Sequence, residues 1–132
     1  MREPDLPIDE EVPAGLTPLR EPTLFILLAL SKERKHGYAI LKDVEALSEG
    51  RVVLSTGTLY GALSRLLEQG VIRKSAEDSG SSGSNNRSDR IDTQKRKYYE
   101  LTQFGYRVLA AEIKRLGTIL ATADRELGSE GI

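Results

Sequence analysis

Residues 55–72 read STGTLYGALSRLLEQGVI, and the fold turns on the use of this stretch. It opens on hydroxyl residues and two glycines, then becomes leucine-rich. Glycine inside a helix costs roughly 1 kcal/mol relative to alanine, so Gly57 and Gly61 need a reason to stand four positions apart. On a helical wheel Leu59, Ala62, Leu63, Leu66 and Leu67 share one arc. Gly57, Thr58, Gly61, Ser64 and Arg65 share the opposite arc, with Tyr60 at the boundary. One face addresses a core. The other has been stripped of bulk, so that something can approach the backbone.

Working outward, Thr17 to Leu30 reads as a first helix with Pro22 tolerated in its opening turn. From Leu24 onward it is apolar on every side, which requires cover all round. A charged turn, SKERKHG, leads into a second helix, HGYAILKDVEAL, where Ile40, Val44 and Leu47 form a stripe beside Leu41 and Gly50 gives a stop. After Gly70 ends the third helix, VIRKSA reads as a short strand. Residues 77–94 are polar and rich in serine and glycine, a flexible loop by composition. KRKYYEL then alternates, with Lys97, Tyr99 and Leu101 on one face and Arg96, Tyr98 and Glu100 on the other, so a second strand closes a hairpin. Thr102 caps a final helix that runs to about Leu127.

The expected fold is mainly α with a two-stranded β-wing: a winged helix-turn-helix over residues 17–101, then a long C-terminal helix over 102–127. Residues 128–132 form a tail. Residues 1–16 form a disordered arm, because residues 1–15 hold five acids against one base and lack the apolar content to pack. The chain carries a net charge of −1, so an arm at −4 leaves a mildly basic body of +3.

Enzyme chemistry finds little support. The 132 residues include no cysteine and one histidine, His36, and no cluster has metal-ligand spacing. The glycines near position 80 lack the context of a phosphate loop, and the carboxylates are scattered. No catalytic residue, metal or cofactor is expected. No signal pattern begins the chain, and the longest apolar run, Leu24 to Leu30, has seven residues where a membrane span needs about 20. A cytoplasmic protein without a membrane partner is expected.

Double-stranded DNA is the expected partner. In a winged helix-turn-helix the N-terminal half of the second motif helix enters the major groove. A face of Gly57, Thr58, Gly61 and Ser64 lets the backbone sit close to base edges, and Ser55, Thr56 and Thr58 bring hydroxyls. Unpaired N–H groups at the helix start attract a phosphate. Arg34, Lys35, Arg73, Lys74, Lys95, Arg96 and Lys97 flank this face, whereas Arg87 and Arg90 at the wing tip are offset by Asp89 and Asp92. Two rivals share the pattern: a winged helix that binds protein, and a ligand-binding dimer whose DNA activity is secondary.

HGYAILKDV, STGTLYGALSRLLEQGVI and KYYELTQFG together resemble the PadR family of bacterial transcriptional regulators, over roughly residues 17–127. The resemblance implies a homodimeric repressor on an inverted-repeat operator, with the C-terminal region joining the two chains. It also implies that Tyr38 and Tyr60 contact the DNA backbone; the residues alone equally allow buried rings at a boundary. A single C-terminal helix places the chain in the family's short branch. Some members release DNA on binding phenolic acids or aromatic drugs near the dimer interface, which implies a small aromatic effector. This chain has no tryptophan to stack on a flat ligand.

The final helix carries its own signal. Tyr106, Leu109, Ile113, Leu116, Leu120, Ala123 and Leu127 recur at alternating spacings of three and four, a two-position heptad seam. The expected dimer interface is this seam with Leu24, Leu27 and Leu28 of the partner's first helix. The alternative is packing of the seam on the first helix of the same chain.

Overall fold

The computed structural model describes residues 12, 13, 15–75 and 97–128. Along them run α1 (Glu21–Ala29), β1 (Lys35–His36), α2 (Gly37–Leu47), α3 (Thr56–Glu68), β2 (Ile72–Ser75), β3 (Tyr98–Leu101) and α4 (Gln103–Leu127). The readings of residues 1–11 as a disordered arm and of 77–94 as a flexible loop lie outside the described residues. Val12 and Leu16, assigned to that arm by composition, instead pack against the core, since both are apolar.

Helix α1 starts at Glu21, not Thr17, and keeps Pro22 in its first turn, where no N–H is missed. Its all-round apolar surface is met by α2 and α4. Ile26, Leu27, Ala29 and Leu30 are buried, and Leu24 and Leu28 half-buried. In α2, Ile40 and Val44 point inward, but Leu47 is 50% exposed. The helix ends there: Glu49 and Gly50 take φ of 56° and 81°, and the chain turns away before Leu47 is covered. Ser48 holds the turn, its Oγ accepting from the Val52 N–H at 2.9 Å.

In α3, Leu59, Ala62, Leu63 and Leu66 are buried and Leu67 is half-buried, as the wheel requires. The Ser55 side chain caps the helix by accepting from the Thr58 N–H at 3.1 Å. The wing hairpin pairs Ile72 with Leu101 and Arg73 with Glu100, turning Tyr99 and Leu101 inward. A third strand joins it. Lys35 and His36, read from sequence as part of a charged turn, pair with Tyr99 and Tyr98, so the order is β1-β3-β2, all antiparallel.

Thr102 caps α4 by accepting from the Gly105 N–H at 2.9 Å, and its own hydroxyl donates to the Gly70 carbonyl at 2.6 Å. A Cβ at position 105 would collide with the Val71 carbonyl, so the first turn of α4 seats against the backbone just before β2 only with glycine there. Further along, Glu112 is 1% exposed. Its carboxylate accepts from Arg115 Nε and Nη2 at 2.9 and 2.8 Å and from the Leu19 N–H at 3.2 Å. The Arg115 hydrogen bonds, with help from Leu19, hold its pKa below the ordinary value although burial opposes them.

The seam on α4 divides at this point. Leu109 is buried in the core of its own chain, as is Leu27 on α1, so neither has surface to offer a second chain. Tyr106 is half-buried, and its hydroxyl donates to the Ser31 carbonyl at 3.0 Å. Only the later positions stand clear: Ile113, Leu120 and Leu127 are exposed, and Leu116 and Ala123 half-buried.

Candidate nucleic-acid interface

The outward arc of α3 carries Thr56, Gly57, Thr58, Tyr60, Gly61, Ser64 and Arg65, and all seven are exposed. Nothing lies within 4 Å of where a Cβ on Gly57 would sit, and a Cβ on Gly61 would meet only the Arg65 side chain at 4.0 Å. Neither glycine makes room for an element among the described residues. The bland explanation, that they ease packing against a neighbouring helix, has no neighbour to support it among the described residues. The Ser55 hydroxyl also donates to Thr58 Oγ1 at 2.9 Å, which fixes two of the three hydroxyls at the helix start. The first N–H groups of the helix point outward beside them, without partners in the helical ladder.

Tyr38 and Tyr60 are brought to the same edge by different means. Tyr38, in the first turn of α2, is 65% exposed, with Lys42 Nζ 5.7 Å from its ring centre. Tyr60 is 42% exposed, and its hydroxyl lies against Gly37 where a Cβ would otherwise be. Gly37 is a functional candidate that the sequence did not reveal, since only the crossing of α2 and α3 shows its purpose. Behind them burial pushes the Tyr99 phenol above its ordinary pKa, and Tyr60 adds to the effect.

The basic residues separate on inspection of their partners. Lys35 Nζ lies 3.3 Å from Asp43 and 3.6 Å from Glu33, and Arg73 Nε lies 2.7 Å from Glu100. Arg34 stacks 4.5 Å over the Tyr98 ring and donates to Ser75 Oγ at 3.2 Å. Lys74 and Lys97 make no ion pair among the described residues. Lys95 and Arg96 lie outside them. A count of cations along the sequence therefore overstates the charge offered to phosphate, because carboxylates within the fold compensate part of it.

A family model described as the transcriptional regulator PadR-like family matches residues 26–111, which span α1 to the middle of α4. The chain belongs to this family. Among curated proteins it is similar to the transcriptional regulator YqjI of Escherichia coli K12, 39% identical over 57 residues. That match takes in 43% of this chain but only 28% of YqjI, so the chain spans little more than a quarter of that relative. A PadR family transcription regulator from Clostridium difficile superposes with a TM-score of 0.61 at 27% identity, covering 83% of this chain and all of the other. A PadR family regulator from Eggerthella lenta gives 0.55 at 25% identity, over 82% of this chain and 85% of its own. The chain thus combines membership of the PadR-like family with a winged-helix fold. Among the described residues of this PadR protein no helix is long and apolar enough to cross a membrane.

Proposed function

We propose that the protein is a homodimeric repressor that binds an inverted-repeat operator, with α3 of each chain in the major groove. The observation that carries this reading is the α3 arc, exposed along its length and bare of side-chain bulk at Gly57 and Gly61. Ser55, Thr56, Gly57, Thr58, Gly61, Ser64 and Arg65 meet base edges and nearby phosphates, while Tyr38 and Tyr60 hold the DNA backbone at the edge where α2 crosses α3. Lys97, with Lys95 and Arg96, holds phosphates from the wing. The exposed end of the α4 seam, Ile113 to Leu127, joins the two chains, with Tyr106, Leu24 and Leu28 at its margin.

Footprinting on the DNA upstream of the protein's own gene tests this directly, with a two-fold symmetric protected site as the expected outcome. A salt titration separates it from a protein-binding winged helix, because phosphate contacts weaken steeply with added salt. Arg96→Ala should weaken operator and random DNA alike and reduce the salt slope by about 1. Loss confined to the operator would make Arg96 a base reader.

A small aromatic effector belongs to the same proposal. A cavity of about 430 Å³ opens between the segment before α1 and the back of α3, with Arg20, Thr23, Leu27, Arg65 and Leu66 in its wall. Two guanidinium groups beside aliphatic side chains suit an aromatic carboxylate, and Arg65 would link its occupancy to the DNA-facing arc. A phenolic acid should release operator DNA from the wild type and not from Arg20→Ala.

A further inference from the structure

Helix α4 has a second surface, turned away from the seam. Arg107, Ala110, Ala111, Lys114, Arg115 and Thr118, with Ile119 and Val12, line a groove of about 480 Å³. Its floor is apolar, from the alanines and Ile119, and its rim bears three cationic side chains. Arg115 is engaged by Glu112 and Arg107 lies 5.6 Å from the Phe104 ring centre, whereas Lys114 is exposed and makes no ion pair among the described residues. Val12 is the point where the described chain begins, and it begins inside this groove.

Immediately before Val12 stand the residues MREPDLPIDEE. They hold Glu3, Asp5, Asp9, Glu10 and Glu11, with Leu6 and Ile8 between, and Pro4 and Pro7 favour extended backbone. We propose that this N-terminal arm lies along the basic flank of α4 in its own chain. Its carboxylates face Lys114, Arg115 and Arg107, and Leu6 and Ile8 cover the alanine floor. Reach does not limit it: eleven extended residues span up to about 36 Å, and α4 from Ala111 to Leu127 is only about 24 Å long. Exposed ion pairs are individually weak, but a tethered arm meets the groove at high effective concentration. The apolar seam of a second copy fits a cationic rim poorly, which favours the arm as occupant. Docked there, the arm has its negative charge compensated, so it opposes the approach of phosphates less than a solvated arm would.

The chain has no cysteine, so Thr118→Cys takes a nitroxide label at one site beside the groove in the full-length protein. At ~0.05 M salt, amide signals of residues 2–8 should be clearly weaker than near 1 M salt, where charges are screened beyond about 3 Å, whereas Glu10 and Glu11, tethered beside the label by Val12, are broadened in both. Adding Lys114→Glu should restore the signals of residues 2–8 at low salt, with the signals of α3 unchanged as a check on folding. Equal intensity of residues 2–8 at low and high salt in the labelled chain would overturn the proposal, as would broadening of those residues that charge reversal leaves unchanged. Mixing isotope-labelled chain lacking the nitroxide with unlabelled chain bearing it should leave the arm's signals sharp; broadening there would assign the groove to a partner's arm and overturn docking on the same chain.

Discussion

Gly61 and Gly37 are glycines for opposite reasons, and one substitution at each separates them. Gly61 faces open space, so Gly61→Glu should change thermal stability by no more than about 1–2 kcal/mol while DNA affinity collapses, since a carboxylate would stand against phosphates. Unchanged binding by a folded variant, measured by fluorescence anisotropy, would remove α3 from the groove. At Gly37 a new Cβ meets the far end of the Tyr60 side chain, which can swing aside. Gly37→Ala should therefore cost little stability yet weaken DNA binding several-fold by unseating that tyrosine. Adding Tyr60→Ala should then have less effect than it has alone, as a double-mutant cycle would measure. Glu112 predicts a pH dependence. Its folded pKa lies below the ordinary 4.5, so its contribution is present above the unfolded value and is lost as pH falls through the folded one. Glu112→Gln should cost about 1–3 kcal/mol at neutral pH and flatten the loss of stability below pH 4.5, in urea melts across that range. An unchanged acid limb would show that other carboxylates set it.

At the level of elements, the wing offers a test of charge compensation. Glu100→Gln removes the partner of Arg73, so affinity for random DNA should rise and its salt dependence steepen. No change would mean that Arg73 lies beyond reach of phosphate. The same pair shows which parts of the structure were legible in the sequence. The two arcs of α3 were, because a period of 3.6 residues maps directly onto burial, and so was the hairpin, because Tyr99 and Leu101 alternate with Tyr98 and Glu100. Strand β1 was not: two residues hold no period, and their pairing depends on the open edge of β3. The ion pairs of Lys35 with Asp43 and Arg73 with Glu100 follow from helix position and strand register, which a run of basic letters does not encode. On α4 the alternating spacing of three and four could not mark where the body of the chain ends. Leu109 serves the chain's own core and Leu120 stands outside it, although both belong to one seam.

At the scale of the whole molecule, the described residues form one body beyond whose core the second half of α4 extends. Ile113, Leu116, Leu120 and Leu127 leave an apolar edge on that projection which a second chain would cover. Leu116→Asp with Leu120→Asp should yield a monomer by light scattering, retain the helical circular dichroism of the body, and lose operator binding. A wild-type chain that is already monomeric at micromolar concentration would overturn both the interface and the paired half-sites. On α3, the residues that hold the fold and those that face outward are disjoint sets. Leu59, Ala62, Leu63 and Leu66 serve the core, while Gly57, Thr58, Gly61, Ser64 and Arg65 serve none of it. Replacements at Ser64 or Arg65 face little selection for foldability, so on the proposed placement of α3 in the groove descendants of this gene can acquire new target sites by single steps through folded intermediates. The same separation makes those positions the natural ones to randomise in a library selected for altered operators.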